Sequence, residues 1–305
     1  MIVFATSDKG GTGRSVTCAN IAYRRALDGD DVAYVDFDFG SPTAAAVFEL
    51  TEAVRGVEGN GVHSCLQGHA GEPDRLDVWS LSERKEVRAS LARAGRLCLV
   101  PGDRGGGEFP VDDDVTRRCV DLFLALEAEF DVTIVDLSAG RSYAIDIALR
   151  ATAAPELSDR VSRWLVFHRW THQHITATEG LVHGDRGILR TGAERGHDER
   201  ALAARIRYVR AAVPDLHSPN VESLRPEQVR WLQIRDADLT RKSARAKLGR
   251  TVTLGTVPLD PVLQWNEQLI TDDDVRRAGV ANAGTADAFT DLARALTDDD
   301  RWTTL

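Results

Sequence analysis

The chain of 305 residues has little lysine, little cysteine and no long apolar run. Of its 38 basic residues only Lys9, Lys85, Lys242 and Lys247 are lysine. The 47 acidic residues outnumber the basic ones, and the net charge of -9 disfavours a generally basic nucleic-acid binder. No stretch approaches membrane-spanning length, and the N-terminus enters a short apolar segment without a basic leader. We therefore expect a cytoplasmic protein that makes no membrane contact.

The cysteines are also too sparse and too scattered to indicate a structural role. Cys18, Cys65, Cys98 and Cys119 contain no CxxC pair and no spacing typical of a metal site. This pattern is typical of reduced thiols in a reducing compartment. We predict that most of them are buried, and we assign them no chemistry.

Short β-branched segments alternate with helical patterns along the chain. Such alternation predicts an α/β fold, a doubly wound and mostly parallel sheet with helices on both faces. No repeat or linker divides the sequence, so we expect a single domain over residues 1–305. The predicted strands cover residues 2–6, 32–38, 97–102, 132–138, 164–167, 206–213 and 251–257. Glycine, proline and charge predict loops at 55–75, 103–113 and 183–200.

A glycine-rich segment, DKGGTGRSVT, follows the first predicted strand. Gly10, Gly11 and Gly13 allow the backbone to curl so that successive N–H groups face an anion. A helix then begins at the end of the loop and adds its free N–H groups and its dipole. Ser15, at the junction, is placed to offer its hydroxyl to Mg²⁺. Strand, glycines, hydroxyl and helix in this order predict a phosphate-binding loop.

The segment KGGTGRS, residues 9–15, resembles the deviant Walker A motif, KGGxGKS/T, of the MinD/ParA family of P-loop ATPases. The resemblance implies ATP and Mg²⁺ as cofactors and an ATP-dependent homodimer. Lys9 would reach the phosphates bound to the partner, and Arg14, where the family has lysine, would contact those of its own nucleotide. The nucleotide-binding residues that it implies in this segment and directly after it are Gly10, Gly11, Thr12, Gly13, Arg14, Ser15 and Val16.

Three later segments are similar to other motifs of the family. VDFDFGSPT resembles the second strand and switch I, which implies that Asp38 positions the attacking water near Mg²⁺ and that Asp36 shapes the strand end. VTIVDLSAG resembles the Walker B strand and switch II, which implies that Asp136 supports Mg²⁺ together with Ser15 and Asp38. LGTVPLDPVLQ resembles the adenine-side loop and places Pro258 and Asp260 beside the base.

Arg14 is expected to reduce turnover more than binding. Lysine is a compact point charge, whereas a guanidinium is a wide planar fork, and hydrolysis requires accurately placed charge on the transferring phosphoryl group. The alternative is simple drift to arginine in a chain that uses little lysine. The preference for ATP over GTP follows from the resemblance alone, because the strand at 206–213 lacks the Asn-containing ending by which relatives often recognise adenine.

The resemblance implies an ATP-dependent dimerisation switch, with slow or partner-stimulated hydrolysis, that positions or regulates an unidentified partner protein. Two alternatives stay open: a catalytically degenerate, nucleotide-dependent scaffold, and an ATP-dependent amide-forming synthetase on the same fold. A scaffold would bind nucleotide without releasing phosphate, and a synthetase would need a substrate that accelerates turnover.

Three other segments carry weaker signals. Residues 225–250 hold eight basic and three acidic residues, which allows non-specific DNA binding but favours a solvated helical pair in an acidic chain. The C-terminal segment is amphipathic but acidic, so we predict a packed helix and not a membrane-targeting one. His168, His172 and His174 lie close together, with His168 and His172 on one face if helical, but no carboxylate or cysteine has ligand spacing. We expect a polar surface or interface there.

Overall fold

The protein is described by a computed structural model that covers residues 1–89, 94–215 and 224–303. Its strands are β1 (Ile2–Ser7), β2 (Val32–Phe37), β3 (Leu76–Asp77), β4 (Leu97–Val100), β5 (Val132–Leu137), β6 (Ser162–Arg169), β7 (Ile206–Val213) and β8 (Thr253–Pro258). They form one sheet in the order β3-β4-β2-β5-β1-β6-β7-β8. The described pairs are parallel, apart from the antiparallel pair of β3 and β4. The predicted doubly wound, mostly parallel sheet is confirmed.

Helices cover both faces of this sheet. Those of more than ten residues are α1 (Arg14–Leu27), α2 (Asp113–Glu129), α3 (Tyr143–Ala153), α4 (His172–His183), α5 (Pro226–Arg245) and α6 (Ala283–Thr297). Shorter helices lie at Ala44–Val47, Val62–Leu66, Val78–Leu81, Lys85–Arg88, Pro155–Ser158, Ile188–Glu194, Glu199–Ala204, Val262–Trp265, Asp272–Arg276 and Asp300–Thr303. Single 3-10 turns occupy Thr51–Ala53 and Arg250–Val252.

The central strand β1 is buried along its whole length. Phe4 packs in one apolar cluster with residues of α2, α3 and α4, and Val3 packs in a second cluster with residues of α1 and α6. A strand covered on both faces must be apolar at consecutive positions, which explains the uninterrupted run IVFAT. The same alternation of strand and covering helix made the fold class readable from the sequence.

Two predicted features differ from the structure. The segment 183–200, predicted as a loop, contains the helix Ile188–Glu194 and the first residues of Glu199–Ala204. Ile188 and Leu189 are buried against the core, so tertiary packing fixes a helix that the local glycines and charges disfavour. The loop predicted at 55–75 likewise contains the helix Val62–Leu66.

The C-terminal helix and the cysteines agree with expectation. In α6, Phe289, Leu292 and Leu296 are buried, so the amphipathic segment is a packed helix. The four cysteines are free and buried. Within the described ranges, no helix has both the length and the apolar character needed to cross a bilayer.

Candidate functional site

Three neighbouring strands deliver the predicted site residues to one edge of the sheet. In the register of the sheet, Asp136 of β5 pairs with Ala5 of β1 and with Asp36 of β2. Because parallel strands end at the same edge, the loop after β1 and the acidic residues of β2 and β5 meet there, although they are far apart in sequence. Lys9, Arg14, Ser15, Asp38 and Asp136 therefore belong to one locality.

The glycine-rich loop has the backbone shape expected of an anion cradle. Gly11 and Gly13 have φ of 69° and 74°, in the left-handed region that favours glycine. No neighbouring atom would contact a Cβ at either position, so the backbone conformation and not crowding selects glycine. Gly13 is also the N-cap of α1 and offers no side-chain hydrogen bond, so the N–H groups of the first turn remain available to a bound anion.

A cavity of about 280 Å³ opens between this loop and the segment that follows β8. Most of the predicted nucleotide-binding residues line it, namely Gly11, Thr12, Gly13, Val16, Pro258 and Asp260. Gly10, Arg14 and Ser15 are not among its lining residues. The cavity thus joins the predicted phosphate side to the predicted adenine side, and its size is near the lower end of ligand pockets, about 300 Å³.

Sequence reasoning missed several side chains around this cavity, among them Arg169 at the end of β6, and Gln264, Trp265, Asn266 and Glu267 beyond β8. Trp265 ends the short helix Val262–Trp265 and is 84 % exposed. A large aromatic ring exposed at a cavity rim offers a flat surface on which a nucleobase can stack. Its signal in the sequence was weak, since a tryptophan seven residues after an ordinary Val-Pro pair fits a buried helix equally well.

Asp260, which is predicted to lie beside the base, has both carboxylate oxygens engaged within the protein. It is 1 % exposed, and its Oδ1 accepts a hydrogen bond from the Val262 backbone (3.2 Å). Its Oδ2 accepts from the Asn282 backbone (2.9 Å) and from Oγ1 of Thr285 (2.7 Å). With both oxygens occupied, Asp260 fixes the loop after β8 to the start of α6.

Arg14 does not extend along the phosphate loop but folds back onto the acidic residues. Its Nε donates to Oδ1 of Asp136 and its Nη2 donates to Oδ2 of Asp38 at 3.1 Å. The same Nη2 lies 3.5 Å from Oγ of Ser15. Arg14 is 6 % exposed. Burial alone would lower the pKa of its guanidinium, but Asp136 and Asp38 outweigh burial and raise the pKa, so Arg14 stays charged.

The predicted Mg²⁺ ligands Ser15, Asp38 and Asp136 do lie together, but as arranged they surround a guanidinium. The second oxygen of Asp136 accepts a hydrogen bond from the hydroxyl of Tyr34 at 2.7 Å. Since both oxygens of Asp136 are engaged and a cation already neutralises Asp38, this donor set does not fit a divalent ion without displacing Arg14. Among the described residues, no cluster of three or more His, Cys, Asp and Glu side chains could hold a metal ion.

Asp36 is the most perturbed carboxyl group of the site. Its Oδ2 accepts from the Ala44 backbone (3.0 Å), and its Oδ1 accepts from the Asp38 backbone (3.2 Å). Burial, reinforced by the nearby negative charge of Asp136, raises the pKa of Asp36 to about 8 despite these two hydrogen bonds. A proton on Asp36 at neutral pH reduces the negative charge that faces the phosphate loop.

Lys9 lies in the loop itself, where Oγ of Ser7 donates to its carbonyl oxygen at 2.9 Å. Burial, followed by the positive charges of Arg169 and Lys9, lowers the pKa of His174. The two cations are therefore close enough to act on the same imidazole. Lys9 and Arg169 thus place positive charge near His174 that is separate from Arg14, and the negative charge of Asp8 acts on the same imidazole in the opposite direction.

The histidine segment is organised differently from the helical interpretation. His168 belongs to β6, where it is fully buried, and α4 begins only at His172. Burial lowers the pKa of His168 to about 4, so the imidazole is neutral. Thr171 caps α4 by accepting a hydrogen bond from the His174 backbone at 3.3 Å. The idea that His168 and His172 share a helix face is wrong, because the strand continues through Arg169.

The chain was compared with known proteins by sequence and by structure. No protein-family model matches the chain, and no curated protein matches it significantly. The MinD cell division protein of Aquifex aeolicus superposes with a TM-score of 0.58 at 16% identity, over 97% of this chain and 95% of that one. The septum site-determining protein MinD of Pyrococcus horikoshii, complexed with Mg-ADP, gives 0.54 at 17% identity, over 98% and 96%. The pNOB8 ParA bound to nonspecific DNA gives 0.55 at 16% identity, over 98% and 97%. The chain therefore has the fold of the MinD and ParA proteins.

Proposed function

We propose that this chain is a MinD/ParA-like protein, one domain over residues 1–305, that binds ATP in the cavity beside the glycine-rich loop. The observation that carries the proposal is the continuity of the cavity from the free N–H groups of α1 to the loop of Pro258 and Asp260. The N–H groups of α1 can bind a phosphate chain, and the loop of Pro258 and Asp260 can contact a base. Isothermal titration with ATP tests it directly, and absence of binding under all metal conditions would refute it.

We further propose that ATP promotes a two-fold dimer in which Lys9 contacts the phosphates bound to the partner. Lys9 is suited to this because it lies at the start of the loop and its charge is not taken up by Asp38 and Asp136, which hold Arg14. The ATP-bound dimer would be recognised by a partner protein in the cytoplasm, in the manner of other nucleotide switches.

Hydrolysis is proposed to be slow or partner-stimulated. Asp38, the residue predicted to position water, and Arg14, the residue predicted to stabilise the phosphoryl group, are hydrogen-bonded to each other. Neither is then free to act on the nucleotide as the resemblance implies. The contact between Arg14 and Asp38 also favours a nucleotide-dependent scaffold over a synthetase, because a synthetase must transfer a phosphoryl group. A phosphate-release assay distinguishes slow hydrolysis from no hydrolysis.

Trp265 is expected to stack on the nucleobase. Trp265→Ala should weaken ATP binding roughly tenfold, because base–aromatic stacking contributes about 1–3 kcal/mol per base. Titration of the wild type should also change the tryptophan fluorescence, and the variant should lose that change. Trp231→Ala is the matched control, since Trp231 is 56 % exposed on α5 and does not line the cavity. Equal losses of affinity in both variants would contradict the assignment, and competition with GTP in the same assay reports base preference.

The basic segment 225–250 favours a solvated helix over non-specific DNA binding. The basic segment forms the exposed helix α5, with only Leu239 and Ser243 buried, which agrees with a solvated helix. A related fold, that of pNOB8 ParA, is bound to nonspecific DNA. An ATP-dependent shift of DNA at low salt would add this activity.

A further inference from the structure

We propose that the Arg14 guanidinium is the resident cation of the nucleotide site, standing where the resemblance would place Mg²⁺, so that nucleotide binds without a divalent metal. The inference rests on the proposed nucleotide site but concerns the ion that accompanies the nucleotide. The Arg14 side chain turns away from the phosphate loop and contacts the carboxylates of Asp136 and Asp38.

The contacts of Arg14 coincide with the predicted metal ligands. Nε donates to Asp136, and Nη2 donates to Asp38 at 3.1 Å while lying 3.5 Å from the hydroxyl of Ser15. One planar fork thus reaches all three groups to which the resemblance assigns Mg²⁺. A guanidinium cannot lose its proton in a protein, so it is a permanent positive charge at this point.

Burial makes this charge difficult to displace. Arg14 is 6 % exposed, Asp136 is 1 % exposed, and the remaining oxygen of Asp136 accepts from Tyr34 at 2.7 Å. A divalent ion that bound Asp136 and Asp38 would leave a buried guanidinium beside it without its carboxylates. The positive charges of the divalent ion and of the Arg14 guanidinium would then repel each other strongly in a low-dielectric interior.

Other groups must then receive the phosphates. The loop offers the N–H groups that follow Gly11 and Gly13, and α1 adds the N–H groups of its first turn. Lys9 at the start of the loop and Arg169 on the cavity wall supply positive charge. Binding therefore has an anion cradle that does not depend on a metal bridge.

Metal dependence of nucleotide binding is the first test. Isothermal titration with ATP in EDTA and in Mg²⁺ should give dissociation constants within about threefold of each other, since the ion adds no ligand bond to the protein. Binding that is more than about tenfold weaker in EDTA would overturn the inference while leaving the nucleotide site intact. If ATP binds in neither buffer, the proposed function fails, and the nucleotide-free test below still decides the metal question.

Direct metal binding is the second test, made on the nucleotide-free protein with Mn²⁺ as the probe and electron paramagnetic resonance as the readout. The wild type should bind no Mn²⁺ at this site. Arg14→Gln keeps a donor for Asp136 but removes the charge, so Mn²⁺ should bind at least about tenfold more tightly than to the wild type. Arg25→Gln, on the same helix but paired with Asp30, is the matched control and should behave as the wild type.

Thermal unfolding guards against misfolding of the variants. Mn²⁺ should raise the melting temperature of Arg14→Gln and leave that of the wild type unchanged, because an ion stabilises only a folded state that binds it. Arg14→Lys, which retains a positive charge, is the second variant if Arg14→Gln does not fold, and it should also gain Mn²⁺ affinity, since one ammonium nitrogen replaces a fork of two contacts. Tight Mn²⁺ binding by the wild type, or no gain in either variant, would overturn the inference.

Discussion

Arg14→Lys is expected to hydrolyse ATP roughly 100-fold faster than the wild type, the lower end of the range associated with one well-placed donor to a developing charge. In the wild type, two separate nitrogens of the guanidinium contact Asp136 and Asp38. The lysine side chain has a single nitrogen, which cannot take the places of both Nε and Nη2. The ammonium group and Asp38 therefore become available to the phosphate site. Phosphate release over time, measured in buffer with Mg²⁺, gives the two rates.

The control for this experiment is Arg25→Lys, which makes the same chemical change in the same helix. Arg25 pairs with Asp30 at the far end of α1 and contacts no predicted site residue. It should leave turnover unchanged. If the wild type releases phosphate as fast as Arg14→Lys, or faster, then Arg14 does not attenuate the site and the ion pair has no bearing on turnover.

Asp36→Asn is expected to become more stable than the wild type as pH rises from about 4 to about 8. The folded-state pKa of Asp36 is raised by burial from 3.8 to about 8, so in this window the unfolded chain releases a proton that the folded chain retains. Its contribution to stability is therefore fully present below pH 4 and is lost as pH approaches 8, a difference on the order of 5 kcal/mol. Asparagine resembles the protonated acid and has no proton to lose.

Urea unfolding of both proteins at pH 5, 6, 7 and 8 measures this effect. Asp31→Asn provides the opposite case, because a hydrogen bond from the Arg96 backbone, outweighing burial, lowers the pKa of Asp31. That stabilisation is present at neutral pH and is lost in acid, so Asp31→Asn should differ from the wild type at pH 6 to 8 and converge with it at low pH. Parallel stability curves for the wild type and Asp36→Asn would show that Asp36 ionises normally.

Much of the sheet was predictable because its strands are locally determined. Each predicted strand overlaps an observed one, since apolar β-branched runs between helical patterns have few other solutions. β3 was missed because it has only two residues and exists through its antiparallel pairing with β4. The helix Ile188–Glu194 was missed for a related reason, since burial of Ile188 and Leu189 in the core outweighs a sequence rich in glycine and charge.

The sequence predicted which residues lie at the candidate site but not which contacts their side chains make. A motif fixes the backbone of Gly11 and Gly13, and it places Asp38 and Asp136 at one edge of the sheet. The direction of the Arg14 side chain depends on two carboxylates that lie 24 and 122 residues away in sequence. The exposure of Trp265 depends equally on the packing of the loop after β8. Neither the direction of the Arg14 side chain nor the exposure of Trp265 can be predicted from a local sequence pattern.

The proposed nucleotide switch is tested most directly by size-exclusion chromatography with light scattering. The measurement compares the protein alone, with ATP in EDTA, and with ATP and Mg²⁺. We predict a monomer without nucleotide and twice that mass with ATP, while Lys9→Ala should stay monomeric because it lacks the charge proposed to reach the partner's phosphates. A wild-type protein that keeps the mass of one chain in all three buffers, at concentrations where titration shows ATP bound, would contradict the switch.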